Sequence, residues 1–195
     1  MTDLRHQECC PTTKGFGTQR HEDLKKTVAD AFRGSGAEVR LEPASSNGQG
    51  RGDVSVFGEA TEGKTVFDVN IVSTSSDAAL RKARATRRNI QSSDTTLGAT
   101  STSRRCLAAI LQERFDLKKE KYKGSRFEGN FSPFIISSGG TQHKDVVRYL
   151  SRLKKVAPGF ADEFIYNTTS LLIKHKAKAF MRAFLPNQSI LFDRR

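Results

Sequence analysis

The sequence predicts an α/β domain with a mixed central β-sheet of about four strands flanked by helices. Three observations lead there: a helical apolar period between residues 18 and 36, three closely spaced alternating runs between 38 and 73, and a resumed helical period after 105 interrupted by one short apolar run. The expected order is α, three β, α, β, α, α. At 195 residues the chain has room for one core plus irregular segments. Apolar residues make up 36% and charged residues 28%, and the mean hydropathy of −0.54 is low for a compact domain, so part of the chain should be loop.

Residues 1–17 mix polar residues, Pro and Gly without periodicity and are expected to form an irregular arm. In TQRHEDLKKTVADAFRGSG, Leu24, Val28, Ala31 and Phe32 recur at helical spacing, Thr18 can cap the start, and Gly34 and Gly36 end the run. EVRLEP alternates as a short strand, SSNGQGRG is a turn-rich connector, and DVSVFGE alternates again, which implies a hairpin. An EGK turn returns the chain into TVFDVNIVS, a β-branched and aromatic run expected to be a central strand with Asp68 and Asn70 on one face. Residues 73–105 turn to Ser, Thr, Ala and Arg and read as a flexible basic insertion with one weakly helical island, AALRKARATRRNI. CLAAILQERFDLKKEKYKG is a helix, FSPFIISSGG a strand closed by glycines, and HKDVVRYLSRLKKVA a further helix. ADEFIYNTTSLLIKHKAKAFMRAFL is one long helix or two, which closes a domain over 18–185 and leaves 186–195 as a tail.

The net charge of +12 and pI near 9.9 favour a polyanionic partner, nucleic acid first, with DNA ahead of RNA. No apolar run approaches 20 residues and no charged-then-apolar leader opens the chain, so no membrane partner is expected. Three cysteines, two of them adjacent, make a poor disulfide framework and suit a reducing, intracellular setting, nuclear if the host is eukaryotic. Oligomeric state is not legible, and a dimer is compatible.

Asp53 heads one strand of the hairpin and Asp68 lies within the next. Two carboxylates about 4 Å apart repel by roughly 4 kcal/mol at an effective dielectric of 20, which a shared proton or a cation would relieve. Hard oxygen ligands select Mg²⁺ or Mn²⁺, ions that polarise a phosphodiester and acidify an attacking water. A strand-end Asp is also a common turn cap.

With GRGDVSV followed by VFDVNIVSTSS, the chain resembles the restriction-endonuclease-like superfamily, PD-(D/E)XK. It is similar above all to the restriction-like endonuclease domain at the C-terminus of non-LTR retrotransposon reverse-transcriptase polyproteins. CPTTKGFGTQRHEDL, KKEKYKG and FSPFIISSGG match that domain's order over about residues 10 to 185. The resemblance implies a restriction-endonuclease-like core, a metal-dependent DNA endonuclease activity, and Asp53 and Asp68 as Mg²⁺ ligands. Gly52 stands where the motif has proline, and Asn70 stands where many members carry the catalytic lysine. In several branches that lysine migrates to the following helix, where Lys118 or Lys121 would fill the place, and Glu22 could add a third acidic group. The bland readings are a polar residue on an open sheet face for Asn70, solvated helix residues for the lysines, and a helix-dipole partner for Glu22.

His6, Cys9 or Cys10, and His21 are of the types that hold Zn²⁺, set against a frayed terminus with a buried histidine. His143 and His175 sit among lysines and read as surface residues. Arg81, Lys82, Arg84, Arg87 and Arg88, then Lys119 and Lys123, then Lys174, Lys178 and Arg182 cluster as candidate phosphate contacts without base readout. Two rivals to the nuclease stand: a nucleic-acid-binding module of the same fold without catalysis, and a basic structural component of a nucleoprotein assembly.

Overall fold

The computed structural model describes residues 14–93 and 98–184. The chain forms α1 (Lys14–Gly34), β1 (Glu38–Leu41), β2 (Val54–Gly58), a 3₁₀ turn (Glu59–Thr61), β3 (Gly63–Val72), α2 (Asp77–Ser93), α3 (Ala99–Lys121), β4 (Asn130–Ser137), α4 (Lys144–Val156) and α5 (Pro158–Phe184). The result is an α/β layout with a four-stranded mixed sheet in the order β1-β2-β3-β4. The first three strands form an antiparallel meander, and β4 runs parallel to β3 after the α2–α3 crossover.

Side-chain alternation along the sheet sorts the core onto two faces. Phe67 and Val69 of β3, Val54 and Val56 of β2, and Phe134 and Ile136 of β4 face one cluster with Leu24, Val28 and Phe32 of α1, Tyr149 and Leu153 of α4, and Phe164 of α5. Phe67 is its centre, with ring centroids 5.7 Å from Phe32, 5.4 Å from Phe134 and 5.0 Å from Tyr149. The opposite face carries a smaller cluster of Leu111, Phe115 and Ile135, with Val72 and Leu107 against it, and this is where α3 lies. The even-numbered residues of β3, Asp68 and Asn70 included, therefore look toward α3. The edge strand β1 is exposed and carries a Glu38–Arg40 ion pair, which blunts it against pairing with another chain.

Several expectations change. Residues 77–93 form a full helix rather than a loose insertion, because Ala79 and Ile90 are buried and the Cys106 Sγ–H donates to the Ala83 carbonyl across the helical hairpin. The first helix spans Lys14–Gly34, so Thr18 lies inside it rather than at its start, and residues 14–17, expected in an irregular arm, are helical. The long C-terminal run is one helix. His143 and His175 are buried, not exposed. His143 caps α4: its Nδ1 accepts the Asp145 N–H at 3.2 Å, Nε2 then donates to Gln112 at 3.1 Å, and the ring stacks on Phe115. His175 shares a helix face with buried Thr168 and Leu172 and reaches Asp23 of α1 at 2.9 Å, locking α5 to α1.

Gly129, at φ +117°, opens β4 where an added Cβ would sit 2.3 Å from the Lys64 carbonyl oxygen. Backbone cannot give way there as a flexible side chain could, so Gly129→Ala is expected to cost about 2 kcal/mol or more, read as a lowered denaturant midpoint at unchanged m.

Candidate active site

Continued one residue beyond Val54↔Phe67, the β2–β3 register sets Asp53 opposite Asp68. The Asp53 amide donates to the Phe67 carbonyl at 2.8 Å, and its carboxylate Oδ2 accepts the Val69 N–H at 2.7 Å, serving a backbone donor that β2 no longer reaches. Asp53 is thus a strand-end cap, and its other oxygen, Oδ1, is 3.3 Å from Nε2 of His21 on α1. The hydrogen bond to Asp53 raises the His21 pKa above its ordinary value of 6.5, outweighing the opposing effect of burial.

Asp68 is 5% exposed, which makes its partners decisive. The Tyr122 hydroxyl donates to Oδ1 at 2.9 Å, and Lys118 Nζ lies 2.7 Å from Oδ2, at ion-pair distance but out of hydrogen-bond alignment. Burial first, and then the Asp68 charge, push the Tyr122 phenol well above its ordinary range, with Asp53 adding to the same effect. Of the two carboxylates only Asp68 accepts from the Tyr122 hydroxyl, which stays protonated at any physiological pH, and Asp53 acts on it through charge alone. The hydroxyl is also 3.3 Å from the Arg51 carbonyl.

The last two turns of α3 supply this wall because Phe115 and Leu111 anchor the helix to the sheet, and positions 114, 118 and 122 follow at four-residue steps toward β3. Arg114 Nε donates to Asn70 Oδ1 at 3.1 Å, Lys118 meets Asp68, and Tyr122 closes the end. Lys121 is exposed, and its Nζ turns to Tyr122, 3.4 Å from the hydroxyl and 4.8 Å from the ring centroid, rather than to a carboxylate. Of the two candidate lysines, Lys118 is the one paired with the acidic site. No family model matches the chain, and no curated protein matches it significantly.

Glu22 turns away to Lys25, at 2.7 Å, and that buried lysine also holds Glu42 at 2.9 Å. Glu22 is thus engaged beside the pair rather than completing it, and among the described residues no three His, Cys, Asp or Glu side chains form a metal-holding group. His6, Cys9 and Cys10 lie outside the described residues, and His21 is bonded to Asp53. Sequence reasoning misses Tyr122, Arg114 and the contact of His21 with Asp53 as features of the site. The i, i+4 spacing of Arg114, Lys118 and Tyr122 along α3 is the signal that could have found the first two.

Of the candidate phosphate contacts, Arg81, Arg84, Arg87 and Arg88 are exposed along α2, while Lys82 is half-buried and 3.8 Å from Glu113. Lys119 donates to the Phe131 carbonyl at 3.1 Å, Lys123 is 3.5 Å from Glu120, and Lys174 and Lys178 lie on α5. The Arg182 side chain lies outside the described residues.

The surroundings of Gly52 leave no room for a larger residue. Its N–H donates to the Pro43 carbonyl at 2.9 Å, and a Cβ would meet buried Val66 at 2.3 Å. Gly52→Pro is expected to destabilise by about 2–4 kcal/mol, combining overpacking with a lost hydrogen bond, and a thermal melt reads it directly.

The His21–Asp53 contact carries its own pH signature. A raised folded pKa contributes stability that is complete below the unfolded value near 6.5 and is lost as pH rises through the folded value. His143 works oppositely, since burial lowers its pKa and stability falls as pH drops below 6.5. In a two-dimensional NMR titration, His21 should titrate above 6.5 and His143 below it, and Asp53→Asn should bring His21 down while leaving His143 unmoved.

Proposed function

We propose that the domain hydrolyses phosphodiester bonds in DNA as a metal-dependent endonuclease, with Asp53 and Asp68 holding Mg²⁺ or Mn²⁺ and Lys118 beside them. The observation that carries the reading is the position of Lys118 Nζ 2.7 Å from Asp68, on the second helix after the acidic strand, with Asn70 leaving the D-x-K position without its lysine. The α-β-β-β-α-α-β order, with β4 parallel to β3, is compatible with a restriction-endonuclease-like core.

The donor set fits a small hard cation. Mg²⁺ typically keeps several waters and takes one or two carboxylates, and Asp68 Oδ2 is a buried oxygen without an aligned hydrogen bond. Bound there, such an ion would polarise the scissile phosphate and lower the pKa of water. The chain's own groups do the rest. Tyr122 fixes one Asp68 oxygen and so aims the other, Val69 N–H does the same for Asp53, and His21 borders Asp53 on the solvent side. Lys118 pairs with Asp68 at rest and would offset charge developing on a phosphate oxygen in the transition state. The exposed arginines of α2 and the lysines of α3 would hold the backbone of the substrate by charge. The retrotransposon-like order of the motifs makes a target-nicking domain of retroelement origin, acting in the nucleus of a eukaryotic host, the specific form of this proposal.

A second reading has one observation in its favour: every carboxylate oxygen of the pair already has a protein partner, so the site is electrostatically settled without a cation. A binding module of the same fold would look alike. Nicking of supercoiled plasmid by the wild-type chain with Mg²⁺, Mn²⁺ or EDTA decides between them: conversion to open circles only with metal supports the nuclease, and salt-sensitive binding without nicking under any ion supports the module.

A further inference from the structure

We propose that the groove at the start of β4 binds an unpaired strand of nucleic acid, which stacks its bases on aromatic rings one buried tyrosine away from the acidic pair. The proposal rests on the nuclease reading for what happens at the end of the groove, whereas strand binding stands without it.

The groove encloses about 1000 Å³ between the C-terminal turns of α3 and the outer side of α4, with the start of β4 as its floor. Three rings line one wall: Phe127 and Phe131 stack at 5.4 Å and 15°, and Tyr122 lies 4.6 Å from Phe131 and 5.9 Å from Phe127. Phe127 and Phe131 are half-buried and offer faces for stacking, whereas Tyr122 is buried behind them. Successive bases stack on such rings only when unpaired, because a duplex keeps its base faces inside its own stack.

Charge complements the rings. Arg148 pairs with Asp145 at 3.1 Å, Arg152 with Glu62 at 2.7 Å, and Lys123 with Glu120 at 3.5 Å. Lys119 and Arg126 remain without an acidic partner among the described residues, so the lining is net positive. Arg126 is exposed but its backbone is fixed: its carbonyl accepts from Ser46 N–H at 2.8 Å, and its N–H donates to Asn47 Oδ1 at 3.2 Å. The loop that presents Arg126 and Phe127 is therefore built in place before any ligand arrives.

An added peptide strand is a poor occupant of this edge. Ser138 N–H bonds inward to Val72, so the odd-numbered residues of β4 turn their backbone outward, and at Ile135 and Ser137 the His143 N–H and Thr141 carbonyl already take it. Of the other odd-numbered residues, Pro133 has no N–H to give and Phe131 has its carbonyl taken by Lys119. Tyr122 stands between the groove and the candidate site: its buried ring is groove wall, and its hydroxyl is 2.9 Å from Asp68.

The test is fluorescence anisotropy of the full chain in EDTA with a labelled oligo(dT) of roughly 12 nucleotides, a length within the usual span of one such groove, and with a duplex of equal length. The wild type should bind the single strand more tightly. Phe127→Ala and Arg126→Glu should each weaken single-strand binding about ten-fold and change duplex binding little. Equal losses for both nucleic acids, or no loss in either variant, would overturn the groove. Should Phe127→Ala melt early, exposed Arg126→Glu decides alone by the same criteria. Wild-type nicking with unaffected strand binding in the variants sinks the groove and leaves the nuclease; variant-sensitive strand binding without nicking by the wild type does the reverse.

Discussion

Asp68→Asn and Asp53→Asn should each lower metal-dependent cleavage roughly 10³-fold, since losing several kcal/mol of charge stabilisation costs a factor of ten per ~1.4 kcal/mol. Asparagine is the informative replacement. At position 53 it can still accept the Val69 N–H, so the end of the β2–β3 ladder survives while the charge goes. At position 68 it can still accept from Tyr122, and the Lys118 ammonium loses its partner but lies at the mouth of the site, 15% exposed. Alanine at either place would orphan a donor and confuse a folding defect with a catalytic one. Single-turnover cleavage rates at saturating Mg²⁺, with circular dichroism melts of the same preparations, check the expectation. A variant that melts like the wild type and cuts at its rate would remove that carboxylate from the mechanism.

Phe67→Ala should be the most damaging substitution in the core, costing about 3–5 kcal/mol. Its ring is fully buried and contacts Phe32 of α1, Phe134 of β4 and Tyr149 of α4, so the cavity opens where both sheet and helices meet. Because Phe67 is one residue from Asp68 on the opposite face, the loss should also loosen the acidic strand. Guanidinium unfolding read by tyrosine fluorescence and by circular dichroism measures the loss, and coincidence of the two transitions shows that the domain still unfolds as a unit.

Much of this architecture is legible in the residues. Two-residue alternation places the three meander strands and puts Asp68 and Asn70 on one face, and the recurrence of Leu24, Val28 and Phe32 locates the buried stripe of α1. Phase and partnership between elements are harder to read from one chain. Lys118 and Lys121 differ by less than one helical turn, and the anchoring of α3 through Leu111 and Phe115 decides which of them faces Asp68. Glu22 has the right chemistry to stand beside an acidic pair, but buried Lys25 claims it. His143 and His175 look exposed from their lysine neighbours in sequence, whereas the contacts they make across elements, with Phe115 and with Asp23, govern their burial. Of the helix over 77–93 only the island 78–90 is legible in composition, because the burial of Ala79 and Ile90 and the Cys106–Ala83 contact that hold the full helix depend on a partner element.

The central claim is that Lys118, arriving from α3, does the work that the motif assigns to a lysine at position 70. Its most direct test is the nicking rate of supercoiled plasmid in Mg²⁺ by Lys118→Met and by the double variant Lys118→Met/Asn70→Lys, each compared with the wild type. The single variant should cut about 10²–10³ times more slowly, and the double variant should recover a substantial part of that loss, because residue 70 faces the same side of β3 as Asp68. A Lys118→Met protein that nicks at the wild-type rate would contradict the account.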